Sequence, residues 1–220
     1  MTSPNPIATL YYKKYRNSFR LGSYVGFIRG FCAKPIAPYL IGESQLNADT
    51  MQRLSRSRDA VRTMVIEGLD SDAANKWFQT MAHGHKHVAL DDTHYLYVLA
   101  NFYLEPLRVL RQQHKNLTKQ EHAHYLAFWN KVAAKMQLTN IPTTYPQWLT
   151  LSNNYEREHA GASAESKLLM QRCLYLVVNF SIPFGFRGIS RRLIINLLPQ
   201  KHRDWFGLAA CRWLRVFVRR

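Results

Sequence analysis

Three histidines at alternate positions, His83, His85 and His87, form the densest group of candidate iron or metal ligands, and eight of the nine histidines lie between residues 83 and 159. On a helix His83 and His87 share a face while His85 points elsewhere, so this stretch offers at most two ligands to one ion. The partners of a hydrolytic metal site are missing: His87 stands where an H-x-H-x-D-H motif has Asp, and there is no H-E-x-x-H. Cys32, Cys173 and Cys211 are far apart without a C-x-x-C pair, which excludes a thiolate zinc site and fits a reducing compartment. A haem asks for less, since one neutral imidazole can hold its iron while Arg or Lys meets its propionates.

Upstream of the histidines, Arg53, Arg56, Arg58 and Arg62 supply four guanidiniums within ten residues, with Ser57 among them. Met51, Leu54, Val61 and Val65 recur at helical spacing, and Arg58 falls inside that stripe. The plainer reading of both groups is a solvated basic helix face and a set of surface histidines. His122 and His124, one turn into another helix, are expected to face solvent.

The elements that carry these residues read as helices almost throughout, because apolar residues recur every three or four positions and period-two alternation is scarce. One helix starts at Asn47 and ends at Gly68, a second starts near Asp72 and runs to the histidines, and a third, Tyr95 to Leu110, is apolar nearly all round and expected at the centre. Asn101 and Glu105 on that third helix need partners such as Arg, or each other. Tyr97, Phe102 and Tyr103 could wall an apolar slot or simply pack the core. Thr118 to Glu121 is a capping box, Tyr145-Pro146 opens another helix, and two more follow at about 168–180 and 189–198. At 220 residues and 47% apolar content, the expectation is a single all-α, multi-helix domain over 1–220 with basic N- and C-terminal flanks.

The net charge of +16 is polarised. Residues 1–42 hold six Lys or Arg and no acid, 43–165 hold thirteen of each sign, and 166–220 hold eleven against Asp204 alone. Neither C2H2 spacing nor an RNP-type signature occurs, so no nucleic-acid partner is expected, and an anionic membrane surface or acidic partner suits the basic ends better. No run reaches the roughly 18 apolar residues of a membrane span. The expectation is a cytoplasmic protein, with a peripheral membrane contact through the tail from residue 203 as an alternative.

The same residues, read in order, resemble a family. Arg53-Leu-Ser-Arg56-Ser57, Glu67-Gly68, His85-Lys-His-Val88, Asp91-Asp92, Leu117 to Glu121 with Tyr125, Tyr145-Pro-Gln-Trp148, and Leu198-Pro199 with His202-Arg203 look like the MpaB/latex-clearing-protein family of haem b oxygenases. The resemblance implies an all-α protein with haem b on one histidine, dioxygen as co-substrate, and oxidative cleavage of double bonds in an apolar, isoprenoid-like substrate. It puts the family's R-x-x-K/R-T stretch on Arg53, Arg56 and Ser57 and its H-x-x-V histidine on His85. His85 is then the iron ligand, with His87 and His83 as alternates, and Arg53, Arg56, Arg58 and Arg62 face the propionates or bound oxygen. Ser57 replaces the usual Thr, and Tyr97-Val98-Leu99 stands where many members have tryptophan-valine-histidine. The alternative function is a non-catalytic helical module that docks through its basic ends.

Overall fold

The computed structural model describes residues 5–41, 47–85, 88–181 and 187–211, the side chains of 47–50, 53, 54, 180 and 181 excepted. These residues form an all-α domain of eleven helices. α1 (Pro6–Thr9) passes through a π-helical turn (Leu10–Lys14) into α2 (Arg16–Phe31), followed by α3 (Ala37–Ile41), α4 (Asn47–Glu67), α5 (Asp72–His85) and α6 (Asp92–Gln112). Then come α7 (Lys119–Lys135), α8 (Tyr145–Glu158), α9 (Ala164–Ser181), α10 (Arg187–Leu197) and α11 (Gln200–Phe206). None of the described helices is long and apolar enough to cross a membrane.

Local chemistry sets the helix starts. Asp91 accepts from the backbone N–H of Thr93 at 2.9 Å and of His94 at 3.3 Å, which opens α6. Thr118 with Glu121 and Thr144 with Gln147 form complete capping boxes on α7 and α8. Gly68, at φ 88°, closes α4 in a backbone conformation that side-chain-bearing residues rarely adopt.

The centre is a pair of helices, α2 against α6, more closely joined than any other pair. The N-terminal basic segment is therefore not an appendage: α2 buries Phe19, Val25, Phe27 and Ile28 within the core. The approach is backbone to backbone. A Cβ at Gly22 would lie 2.3 Å from the Pro106 Cα, and one at Gly26 would lie 2.5 Å from the Asn101 carbonyl oxygen. Pro106, inside α6, also removes the N–H that would bond the Phe102 carbonyl. The Tyr125 hydroxyl of α7 donates to that carbonyl at 3.0 Å, so the orphaned acceptor is satisfied by a neighbouring helix. Phe102 and Tyr103 are core residues, with Phe102 stacked on Trp129 and Tyr103 against Tyr125 and Trp148.

Overpacking at such a contact costs about 1–3 kcal/mol where the neighbour can yield, and here the neighbour is backbone. Gly22→Ala and Gly26→Ala should each lower the denaturation free energy by at least that range. Gly84→Ala, with nothing within 4 Å of its Cβ, should leave stability unchanged or raise it by up to about 1 kcal/mol in urea unfolding.

Candidate functional site

α4 and α5 form a helical hairpin around the turn at 68–71, in which Ser71 donates to the Gly68 carbonyl at 2.9 Å and caps Ala74. His85 ends α5, thirteen residues after its start, and counting back the same distance from Glu67 reaches the level of residues 53–57 on α4. At about 1.5 Å per residue, both lie roughly 20 Å from the turn. The hairpin thus brings the Arg53-Arg56-Ser57 stretch and the end of the histidine cluster to one end of the pair. Arg56 is exposed and Ser57 half-buried, whereas the Arg53 side chain lies outside the described residues. Arg58 is half-buried and donates from Nε and Nη2 to Asp59 at 3.0 and 2.8 Å. Arg62, nearer the turn, hydrogen-bonds Tyr12.

His83 is exposed, and His87 lies outside the described residues. His85 is half-buried with its ring stacked on Tyr95, centroids 4.0 Å apart and planes 27° off parallel. Burial pushes its pKa below the ordinary value, so the imidazole is neutral at pH 7, the state that ligates iron. His122 differs from the expected exposed position: it is half-buried, 3.4 Å from the Tyr103 hydroxyl and packed on Tyr145, because α7 and α8 close over it. His124 is exposed. One neutral imidazole and arginines at the same end of the neighbouring helix are the donor types that a haem requires. No group of three metal-ligating side chains occurs among the described residues.

The most polarised part of the structure lies elsewhere. Arg29 of α2 is buried and pairs with Glu105 of α6 and Glu156 of α8. Arg108 holds Glu105 from a second side, Nε to the two carboxylate oxygens at 3.0 and 2.9 Å. Glu156 also accepts from the Tyr97 hydroxyl at 3.0 Å, meets His202 Nε2 at 2.9 Å, and pairs with Lys201. This network ties α11 to the central pair. Asn101 stands apart from it, donating to the Tyr97 carbonyl at 2.8 Å rather than to Glu105. Burial raises both carboxyls, but Arg29 and Arg108 outweigh it at Glu105, and His202, Arg29 and Lys201 outweigh it at Glu156, so both lie below the usual carboxylate range. At His202 burial and the nearby Arg29 and Lys201 push the pKa down and Glu156 pulls it up, with a net downward shift.

Two cavities flank this region. A largely enclosed one of about 10 Å³ lies among α2, α8 and α11, with Arg29, Cys32, Tyr97, Glu156 and His202 in its wall. An open groove of about 490 Å³ runs along α8 past Thr93, Gln147, Asn154 and Glu158. Neither is lined by His83, His85 or the α4 arginines. Trp205 and Phe206 of the tail are half-buried against the small cavity and Leu208 packs on the core, while the tail beyond 211 lies outside the described residues.

Sequence reasoning marked Glu105 as an acid in need of a partner, an arginine or Asn101, and quoted His202 only as part of a family motif, but missed Arg29 and Glu156. The readable signal was Gly22, Gly26 and Gly30 at four-residue spacing around a lone Arg in an apolar run. Replacing Arg29 by Met removes the cation shared by two buried carboxylates, leaving Glu105 to Arg108 and Glu156 to His202 and Lys201, and breaking buried pairs of this kind costs about 3–5 kcal/mol, to be read in denaturant titrations. All three shifts are downward, so each group supports the fold above its ordinary pKa and withdraws that support as the pH falls. Stability should decline first below the ordinary His value of 6.5 and again below the Glu value of 4.5, and Glu156→Gln should weaken the second step.

No curated protein sequence matches the chain. A family model does, described as ER-bound oxygenase mpaB/B'/rubber oxygenase, catalytic domain, and it covers residues 32–220. That span contains the α4–α5 hairpin, the histidine cluster and every member of the buried network except Arg29. The chain belongs to the family of mpaB and rubber oxygenase catalytic domains.

Proposed function

We propose that this protein is a haem b-dependent oxygenase-like enzyme that acts with dioxygen on an unsaturated apolar, isoprenoid-like small molecule, with the haem at the open end of the α4–α5 hairpin. The observation that carries this reading is His85: a half-buried, neutral imidazole at the helix end level with Arg56 and Ser57, in a member of an oxygenase family. When bound, the haem supplies the one-electron and dioxygen chemistry that no side chain here can perform. His85 would hold the iron through its neutral imidazole, whose ring plane is set by stacking on Tyr95. Arg53, Arg56 and Arg58 would offer cations to the propionates or hydrogen bonds to dioxygen, Ser57 would offer a hydroxyl beside them, and Arg62 would add charge from the next turns. His87 and His83 are the alternate ligands.

Purified protein should take up about one equivalent of hemin and develop a Soret band. His85→Ala should abolish or shift that band, and His124→Ala, at an exposed position, should leave it unchanged. Uptake that survives at each of His83, His85 and His87 in turn would overturn the hairpin site.

A second reading, in which the protein docks peripherally on an anionic membrane, has one observation in its favour. Tyr175 on α9 is 64% exposed and Ile189 on α10 is 50% exposed, with exposed Arg191 and Arg192 in the same helix as Ile189. Aromatic and aliphatic groups beside cations suit the headgroup boundary, where each Arg contributes about 1 kcal/mol. The protein should pellet with anionic liposomes at low salt and be released at high salt. Because residues to 208 pack on the domain, removing 212–220 should leave the fold intact and reveal the tail's share of the binding.

A further inference from the structure

We infer that the small cavity between α2, α8 and α11 is a binding site for one neutral, hydrogen-bond-donating molecule of water size, held by His202 Nδ1. His202 is 2% exposed, and its ring forms part of the cavity wall. Its Nε2 lies 2.9 Å from the Glu156 carboxylate, and the Arg29 Nε–H is directed at the same nitrogen from 3.4 Å. The shorter contact decides the tautomer. A lone pair on Nε2 would face the carboxylate, so Nε2 carries the proton and donates it to Glu156. Nδ1 is then a bare acceptor, and it has no hydrogen-bond partner among the described residues. A buried acceptor without a partner costs about 1–3 kcal/mol, which a single water removes if there is room for it. The cavity's volume of about 10 Å³ is that room, at the lower limit of about 10–15 Å³ that one water needs.

The chemistry of the wall selects the ligand. A lone pair on Nδ1 demands a donor, so dioxygen gains nothing there. Arg29, buried in the same wall, and Lys201, paired to Glu156, oppose a cation. An anion would meet the lone pair. Water remains, and a carboxylate on the far edge of the ring raises the basicity of Nδ1 toward it. The inference is independent of where haem binds.

Selective ¹⁵N labelling of the histidines in the full chain tests it. Near neutral pH, His202 should show Nε2 protonated and Nδ1 shifted from the bare position toward that of a hydrogen-bonded acceptor. Ala33 also lines the cavity and takes no part in the Glu156–His202 pair, so oxygen-17 relaxation dispersion should count one fewer long-lived water in Ala33→Val, which narrows the cavity. A protonated Nδ1, or a bare Nδ1 resonance in the unmodified protein, would overturn the proposal. So would an unchanged water count in a folded Ala33→Val, and if that variant fails to fold the histidine spectra alone decide.

Discussion

Glycines at 22, 26 and 30 let the backbone of α2 lie directly on that of α6, and everything around the pair is built to that separation. At Gly22 and Gly26 a single methyl group would collide with α6 backbone, not with a side chain that could turn aside. The approach also puts Arg29 within reach of Glu105, which lies one residue before the proline that breaks the α6 hydrogen-bond ladder. Tyr125 repairs that break from α7, so the same local defect that shapes α6 recruits a third helix.

The charges at this junction are a constraint as much as a source of stability. A buried ion pair seldom exceeds a well-packed apolar substitute in stability, but losing one partner leaves a charge that nothing solvates. Arg29 with Glu105 and Glu156 therefore penalises any packing of α8 or α11 that separates them, and it fixes one arrangement of helices that are otherwise held by interchangeable apolar contacts. Lys201 and His202, consecutive on α11, extend the same control to the last described helix. The part of the basic tail that reaches residue 208 is consequently a component of the domain.

Against this rigid centre, the α4–α5 hairpin is peripheral and carries the family's arginine stretch and histidines on its open end. Two histidines sit in contrasting surroundings. His85 is half-exposed and stacked on an aromatic ring, whereas His202 is sealed beside a carboxylate, so the two titrate under different controls.

The sequence alone determined the helices with strong local chemistry. Asn47 to Gly68, the Thr118–Glu121 box and the start at Tyr145-Pro146 are written in neighbouring residues, because caps and 3.6-residue periodicity are short-range effects. The family resemblance was legible for the same reason, being a series of short motifs in order, and the α4–α5 level of Arg56 and His85 follows from two helix lengths and one turn. What only the tertiary structure decided is which residues meet across the chain. Arg29 lies 76 residues from Glu105 and 127 from Glu156, and although the glycine spacing around it marks a close helix contact, no local pattern names the two carboxylates it meets. His122 looked exposed on its own helix and is covered by α8, and Phe102 and Tyr103 could have walled a slot until the aromatic rings of α7 and α8 filled the space, whereas Tyr97, stacked on Tyr155, borders the small cavity. Burial and long-range pairing are properties of the packed helices, fixed by the closeness that three glycines allow.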